Sequence, residues 1–366
     1  MPDWTKPMQQ TFEYYTVDPN TLADVKRLTN IKGADFTYDL GAGTLGSARL
    51  DATDTMNESY VRAYLKTIQN GITEKHALGT VLVQAPSMAY DGMTFNTSMD
   101  CYTPLIELKE KRPPLGYTIR KGTRIMDAAY DIVSRNTRVP VTKVEPTLIK
   151  DDSGNVIEDL SPILQQNFVA NADETWLDFV IALIDNANYE LGLSATGHVL
   201  FTPKQNLESM QPVWTYNDDD ESILYSDITM NHHIYDIPNV VEVMYSYGND
   251  YKYAIVKNED PNSPVSIVNR GREIPYRDTN ASLFGYATQS QVEEYAKQLL
   301  KSLSTIKYTL AYTHAYCPVR VGDCVRMNYT RAGIKNVKAR VISQTIECEP
   351  GCPVSEVAEF TTKLWG

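Results

Sequence analysis

Two stretches of helical spacing, each running straight into alternating strand, constrain this chain more than any single motif does. In the first, Trp176, Phe179, Val180, Leu183, Ile184 and Ala187 recur at intervals of three and four, which predicts a one-faced helix over 174–188. A short hairpin pattern follows at once, at 189–193 and 198–202, turning through Ala195-Thr196-Gly197. Later in the chain Val292, Tyr295, Ala296, Leu299, Leu300, Leu303 and Ile306 repeat the period over 289–305. An alternating strand from Tyr308 comes next, then Val321-Gly322-Asp323-Cys324-Val325, then strands at 337–341 and 354–360. No reactive group is framed anywhere in this order.

The N-terminal portion, to Pro114, reads mostly as strands. Residues 35–40 alternate, and 47–54 alternate again with Ala48, Leu50 and Ala52 on one side. Residues 60–69 suit a short helix, and 80–84 and 92–101 further strands. Lys109-Glu110-Lys111-Arg112-Pro113-Pro114 breaks the pattern with charge and proline, as a domain boundary would. Beyond it, Ile125, Ala129, Ile132 and Val133 predict a helix over 124–136, with Thr123 placed as its N-cap and Val139-Pro140 closing it. Residues 150–159 read as an exposed loop. Strands return at 240–247 and 253–257. The fold class is therefore α+β, mainly β.

At 366 residues the chain has room for two or three domains, and its apolar fraction of 42% is that of a globular protein. No run of about eighteen apolar residues occurs, so no membrane anchor is expected. The first residues lack the basic start and apolar core of a secretory signal. The protein is thus expected to act where it is made, or to leave as part of something larger. Net charge is −12, from 34 basic against 46 acidic residues, and no stretch supplies the basic footprint of a DNA-binder. Twenty-four tyrosines suit a β-rich, assembly-forming protein.

Familiar chemistry is missing. Gly41-Ala42-Gly43-Thr44-Leu45-Gly46 matches the dinucleotide fingerprint formally, yet the residues after it alternate as a strand instead of opening a helix, so a Gly-rich hairpin loop is expected. The acidic run Asn217-Asp218-Asp219-Asp220-Glu221 lacks the spaced ligands and central glycine of a calcium loop and reads as a solvated turn. Cys317, Cys324, Cys348 and Cys352 lack the two-residue spacings of structural zinc and read, with Cys101, as buried or turn thiols. His76, His198, His232, His233 and His314 form no metal or catalytic pattern, His232 and His233 pointing in different directions as neighbours must. Carboxylate pairs able to cleave a glycoside are set by space, not sequence spacing, which leaves a wall-degrading hydrolase as an alternative. No catalytic residue, cofactor site or metal site is assigned, and the protein is not expected to be an enzyme.

In the order of its elements the chain resembles the baseplate hub proteins of contractile-tailed phages, the late-control D-like tail hub group. Gly122-Thr123-Arg124-Ile125-Met126-Asp127-Ala128-Ala129 is similar to that family's first mid-chain helix. Thr175-Trp176-Leu177-Asp178-Phe179 through Gly197-His198-Val199-Leu200-Phe201 resembles its helix-then-hairpin module, and Ile237-Pro238-Asn239-Val240-Val241-Glu242-Val243 the strand opening its second barrel. Residues 291–303 followed by Val321-Gly322-Asp323-Cys324-Val325 resemble its closing helix and Gly-Asp turn. These segments cover roughly the last two thirds of the chain.

The resemblance implies two β-barrel-like domains flanking a small α/β middle region, with bounds at 1–115, 116–215 and 216–366. It implies a homotrimer whose six barrels match a six-fold tail tube and which seats a three-fold central spike, alongside other baseplate proteins. DNA would touch it only in passage through the lumen, which an acidic wall suits because phosphates are not held there. The implied location is the virion tail baseplate, assembled in the host cytoplasm. Alternatives within that frame are the hub-like part of a flexible-tail tip protein or another injection machine. Because the chain stops soon after 354–360, puncture and lysis are expected of partner proteins.

Overall fold

The alternation at 47–54 becomes the strand Gly46–Ala52, with Ala48, Leu50 and Ala52 buried and Ser47 and Arg49 exposed. The computed structural model describes residues 2–364 except 91, 94, 151–155, 233–236, 248–249 and 280–286. It divides into two compact units, Met1–Asp227 with Tyr312–Val357, and Ile228–Ala311 with Ala358–Gly366.

In the first unit, Gly46–Ala52 lies mid-sheet. On one side come Ile31–Asp39, Ile334–Glu347 and Cys324–Tyr329; on the other come Phe95–Tyr102, Ile72–Tyr90, Tyr60–Gln69, Gln9–Val17 and Asp24–Leu28. Each of these neighbours runs antiparallel to the next. Trp214–Asn217 adds a parallel pairing to Cys324–Tyr329. Asp39 stands opposite Ser343, so the beginning and end of the chain share one sheet. Large antiparallel sheets with few helices make the fold α+β and mainly β, as the patterning indicated.

Three local expectations are corrected. Residues 60–69 are a strand, not a helix: Tyr60–Gln69 is paired on both sides, and Asn70 and Gly71 at φ 52° and 79° turn it directly into Ile72–Tyr90. Thr123 is not the N-cap of the next helix; Ile125–Asn136 is capped by Arg124, without a side-chain cap bond. Within 150–159, Val156–Asp159 pairs with Leu148–Lys150 as strands, although the pair is as exposed as the loop reading expected.

The helix Trp176–Asp185 opens on Thr175, whose hydroxyl accepts from the Asp178 amide while the Asp178 carboxylate accepts from the Thr175 amide. Such a reciprocal box is worth about 1 kcal/mol. Its apolar face packs with Ile125, Ala129 and Val133 of the preceding helix, and Val17, Tyr60 and Leu82 of the sheet join the same core with Leu22 of the turn after Val17.

In the second unit, Val240–Tyr247 pairs antiparallel with Asp250–Lys257 and parallel with Pro275–Asp278. Helix Gln289–Leu303 lays Val292, Ala296 and Leu300 against Val241, Val243, Tyr245 and Ala254 of this sheet. Among the described residues no helix is long and apolar enough to cross a membrane.

Candidate assembly site

The Tyr189–Leu193 and Val199–Pro203 strands form a hairpin whose tip is held by a buried cation. Arg62, on Tyr60–Gln69, is buried; its Nη2 donates to the Thr196 carbonyl at 2.6 Å, Nη1 to the Leu22 carbonyl at 3.0 Å and to Asp24 at 2.9 Å, and Nε to Thr80 at 2.9 Å. Thr80 donates in turn to the Ala195 carbonyl at 3.2 Å. Gly197 passes so close that a Cβ there would lie 3.1 Å from Thr80, at a φ of 95° that favours glycine. Five donors in a rigid fork let one arginine satisfy carbonyls from two separate segments, which a lysine could not reproduce.

A second arginine repeats the device. Arg320, just before the Gly322-Asp323 turn, donates from Nη1 to the Leu78 carbonyl at 3.0 Å and from Nη2 to that of Ala77. Tyr38 donates to the same Leu78 carbonyl at 3.0 Å. Between the hairpin, the 38–45 loop and the Gly322-Asp323 turn opens a cleft of about 450 Å³. Leu45, Leu191, Leu193, Leu200 and Val321 give it apolar walls. Arg340 and Glu190 pair at its rim, Arg340 also donating to the Gly322 carbonyl at 3.3 Å. Gly41–Gly46 is thus a hairpin loop beside this cleft, joining Ile31–Asp39 to Gly46–Ala52.

Behind the cleft lies a polar network sealed from solvent. Glu356 accepts from Tyr312 at 2.8 Å, Tyr216 at 3.2 Å and Gln344 at 2.6 Å, and pairs with His314 at 3.3 Å, both side chains fully buried. His314 Nδ1 meets the Ala315 carbonyl at 2.7 Å, and Nε2 meets the Tyr216 hydroxyl at 3.1 Å. Burial disfavours the imidazolium, but its bonds to Cys317 and Glu356 outweigh this and carry its pKa up to about 10. Burial would raise Glu356 too; hydrogen bonds from His314, Tyr312 and Gln344 hold it below the usual carboxylate value. The charged pair is therefore the resident state. It is enclosed and its lone pairs are committed, which fits structural support and leaves no room for a substrate.

Other residues of interest are scattered. His76 stacks edge-on against Trp4, and His198 sits in the hairpin turn near Ser194 and Thr196. His233 lies outside the described residues, as does the side chain of His232. All five cysteines are free and buried. Asp218 of the acidic run accepts from Thr330 at 2.7 Å and from the Arg331 amide at 3.2 Å, tying that turn to a neighbouring one. A depression of about 400 Å³ on the sheet is lined by Asp35, Arg49, Asp100 and Glu347, with burial and nearby carboxylates holding Asp35 and Glu347 high. Among the described residues no three His, Cys, Asp or Glu side chains are grouped to hold a metal. Neither clamping arginine was singled out from sequence, since nothing in the local pattern of Arg62 or Arg320 marks the distant carbonyls they meet.

No family model matches the chain, and no curated protein matches it by sequence. Solved structures do match it in shape. A tail protein from Neisseria meningitidis MC58 superposes over 96% of both chains at TM-score 0.59 and 12% identity. A 43 kDa tail protein of prophage MuSo2 from Shewanella oneidensis superposes over 96% of this chain and 98% of its own, at TM-score 0.60 and 13% identity. A chain of the Francisella PdpA–VgrG complex covers 99% of this chain with 54% of its own length, at TM-score 0.54 and 10% identity. Across nearly its whole length, then, the chain has the fold of phage tail proteins, the group its element order resembles.

Proposed function

We propose that this protein is a structural baseplate hub of a phage tail, joining a six-fold tail tube to a three-fold central spike and forming part of the DNA-passage channel. The observation that carries the reading is the end-to-end likeness to two tail proteins, which leaves almost none of the chain for an added enzymatic domain. The enclosed Glu356–His314 network and the arginine clamps support a non-catalytic role, since each spends its polar groups on holding segments of the chain together. Barrel-like domains bounded at 1–115 and 216–366, a middle region at 116–215, a homotrimer, and a place in the virion tail baseplate belong to the same proposal. The charge distribution supports passage without retention of DNA: 36 acidic against 25 basic residues fall in the first unit and 10 against 9 in the second.

Light scattering on the purified chain tests the trimer. The expected mass is near 124 kDa, three times the 41.2 kDa chain. A mass of one chain up to tens of micromolar would remove the self-assembling ring. The likeness to a chain of a PdpA–VgrG complex favours a second reading, a hub-like part of another injection machine. A contractile sheath encoded beside this protein, with a tube it binds, would separate a phage tail from that alternative.

A further inference from the structure

The sheet of the first unit carries two directly opposed pairs of like charge, one of each sign. On Tyr60–Gln69 and Ile72–Tyr90, Lys66 stands opposite Lys75. Both reach Glu13 of Gln9–Val17, Lys75 in direct contact and Lys66 at 3.6 Å, and Arg27 joins them at 3.4 Å. Glu13 is buried and also accepts from the Tyr15 hydroxyl at 3.0 Å, so one carboxylate faces three cations, an excess of two positive charges. Arg27, Lys66 and Lys75 keep 57%, 31% and 41% of their side chains exposed. On Ile31–Asp39 and Ile334–Glu347, Asp35 stands opposite Glu347. Arg49, opposite Asp35, turns its Nε to Ser98 at 2.7 Å and Asp51 at 3.3 Å. Burial holds both carboxyls high, with Asp51 adding to it at Asp35 and Glu349 at Glu347. Like charges directly opposite in a sheet are destabilising, so each pair is a cost only partly met within the chain.

The two pairs share a face of the sheet yet cannot reach each other. Asp35 is level with Arg49 and Asp100; Tyr102, on the Asp100 face, is level with Leu82 and Tyr60, and Tyr60 alternates onto the face of Lys66. On Ile72–Tyr90 the position opposite Asp100 is Ala85, ten residues from Lys75, which puts about 30 Å of strand between the pairs. The acidic pair lines the depression of about 400 Å³ together with Asp100, a recess open to the ends of two lysines. We propose that the Lys66–Lys75 pair of one copy seats in the Asp35–Glu347 depression of the next copy. Charge complementarity names a second copy as the occupant, because every copy brings both halves. The halves are different patches, so the contact is head-to-tail, and repeated around an axis it closes a ring. This rests on the trimer reading and supplies its interface.

Carbodiimide cross-linking of the native full chain tests it, because the reagent joins a carboxylate to an amine only where the two touch. Mass spectrometry of the two- and three-chain products is expected to find Lys66 or Lys75 joined to Asp35 or Glu347, a link that about 30 Å of strand forbids within one chain. Charge reversal supplies the energetic test. Asp35→Lys and Lys66→Glu, both leaving the close Lys75–Glu13 contact in place, should each weaken self-association about tenfold or more, and the two in one chain should restore it. Should a reversal disturb folding, Asp35→Asn with Glu347→Gln repeats the test: it removes a repulsion, so Tm should rise while self-association falls. A trimeric mass without these cross-links, or one that neither the reversals nor the neutral pair alters, overturns the contact while sparing the trimer. A double reversal no better than either single overturns the pairing of these two patches, and a monomeric wild type removes the trimer and this contact together.

Discussion

The two units differ in the charge they bury. In the first, segments far apart in sequence are locked by charge, buried at Arg62 on the hairpin tip and at Glu356 with His314 between late strands, and half-buried at Arg320 on the Leu78 strand. The second has balanced charge and a small core between one sheet and one helix. The opposite face of that sheet presents Met244, Tyr251, Tyr253 and Ile255 to solvent, beside an Arg277–Glu242 pair. The first unit is thereby specified from within by committed hydrogen bonds. The second leans on the helix contacts and on neutral buried groups, Asn239 and Asn258, and its smaller core makes its stability the more easily perturbed.

The comparison breaks most sharply at Glu356. Glu356→Ala leaves His314 charged without its carboxylate in a sealed site and takes an acceptor from Tyr312, Tyr216 and Gln344, at a cost of about 3–5 kcal/mol. Urea unfolding followed by a probe in the first unit measures it, and a loss below about 1 kcal/mol would sink the idea that the network locks this unit. The pair also sets a pH window. The lowered Glu356 contributes stability that is present above the carboxylate's ordinary 4.5 and is lost as pH falls through its folded value. The raised His314 contributes stability that is complete below the imidazole's ordinary 6.5 and is lost as pH rises towards about 10. The two contributions coincide between pH 4.5 and 6.5, so wild-type Tm should decline through the alkaline range and His314→Gln should flatten that decline.

Gly79 tests the same unit at a smaller scale. A Cβ there would lie 2.0 Å from the Tyr38 hydroxyl and 2.8 Å from a ring carbon of buried Phe36. Gly79→Ala must push Tyr38 off the Leu78 carbonyl that it shares with Arg320, at about 1–3 kcal/mol. Combined with Arg320→Met, the two losses should be less than additive, because both act on one carbonyl. Full additivity would mean that the two donors hold the strand independently.

What the sequence disclosed followed the range of each interaction. Helix periods at 174–188 and 289–305, alternation at 47–54 and the Gly41–Gly46 loop are local, and the structure has helices at Trp176–Asp185 and Gln289–Leu303, a strand at Gly46–Ala52 and a loop at 41–46. Residues 60–69 misled because their apolar positions fit two periods; the Asn70-Gly71 pair, a strong hairpin signal, would have decided for strand. Thr123 missed the cap by one position, an ordinary margin for helix ends. The cleft and the Glu356 network were illegible, since Tyr216, His314, Gln344 and Glu356 come together only after the sheet forms. Buried polar groups leave no periodic trace.

The smallest expected effect separates the units most cleanly. Thr288 caps Gln289–Leu303 with the same reciprocal box that Thr175 gives Trp176–Asp185, here closed by Gln291. Removing either hydroxyl costs about 1 kcal/mol. The Trp176–Asp185 helix sits in a core built from two helices, a hairpin and the sheet, so Thr175→Ala is diluted by many other contacts. The Gln289–Leu303 helix supplies Val292, Ala296 and Leu300, three of the eight buried residues of its core, so Thr288→Ala acts on a larger share of what orders that core. Amide exchange should therefore quicken across 240–257 and 289–303 in Thr288→Ala while 60–83 keeps its protection. If exchange rose equally in both units, they would unfold as one cooperative body, and the contrast between a charge-locked unit and a lightly held one would have no thermodynamic content.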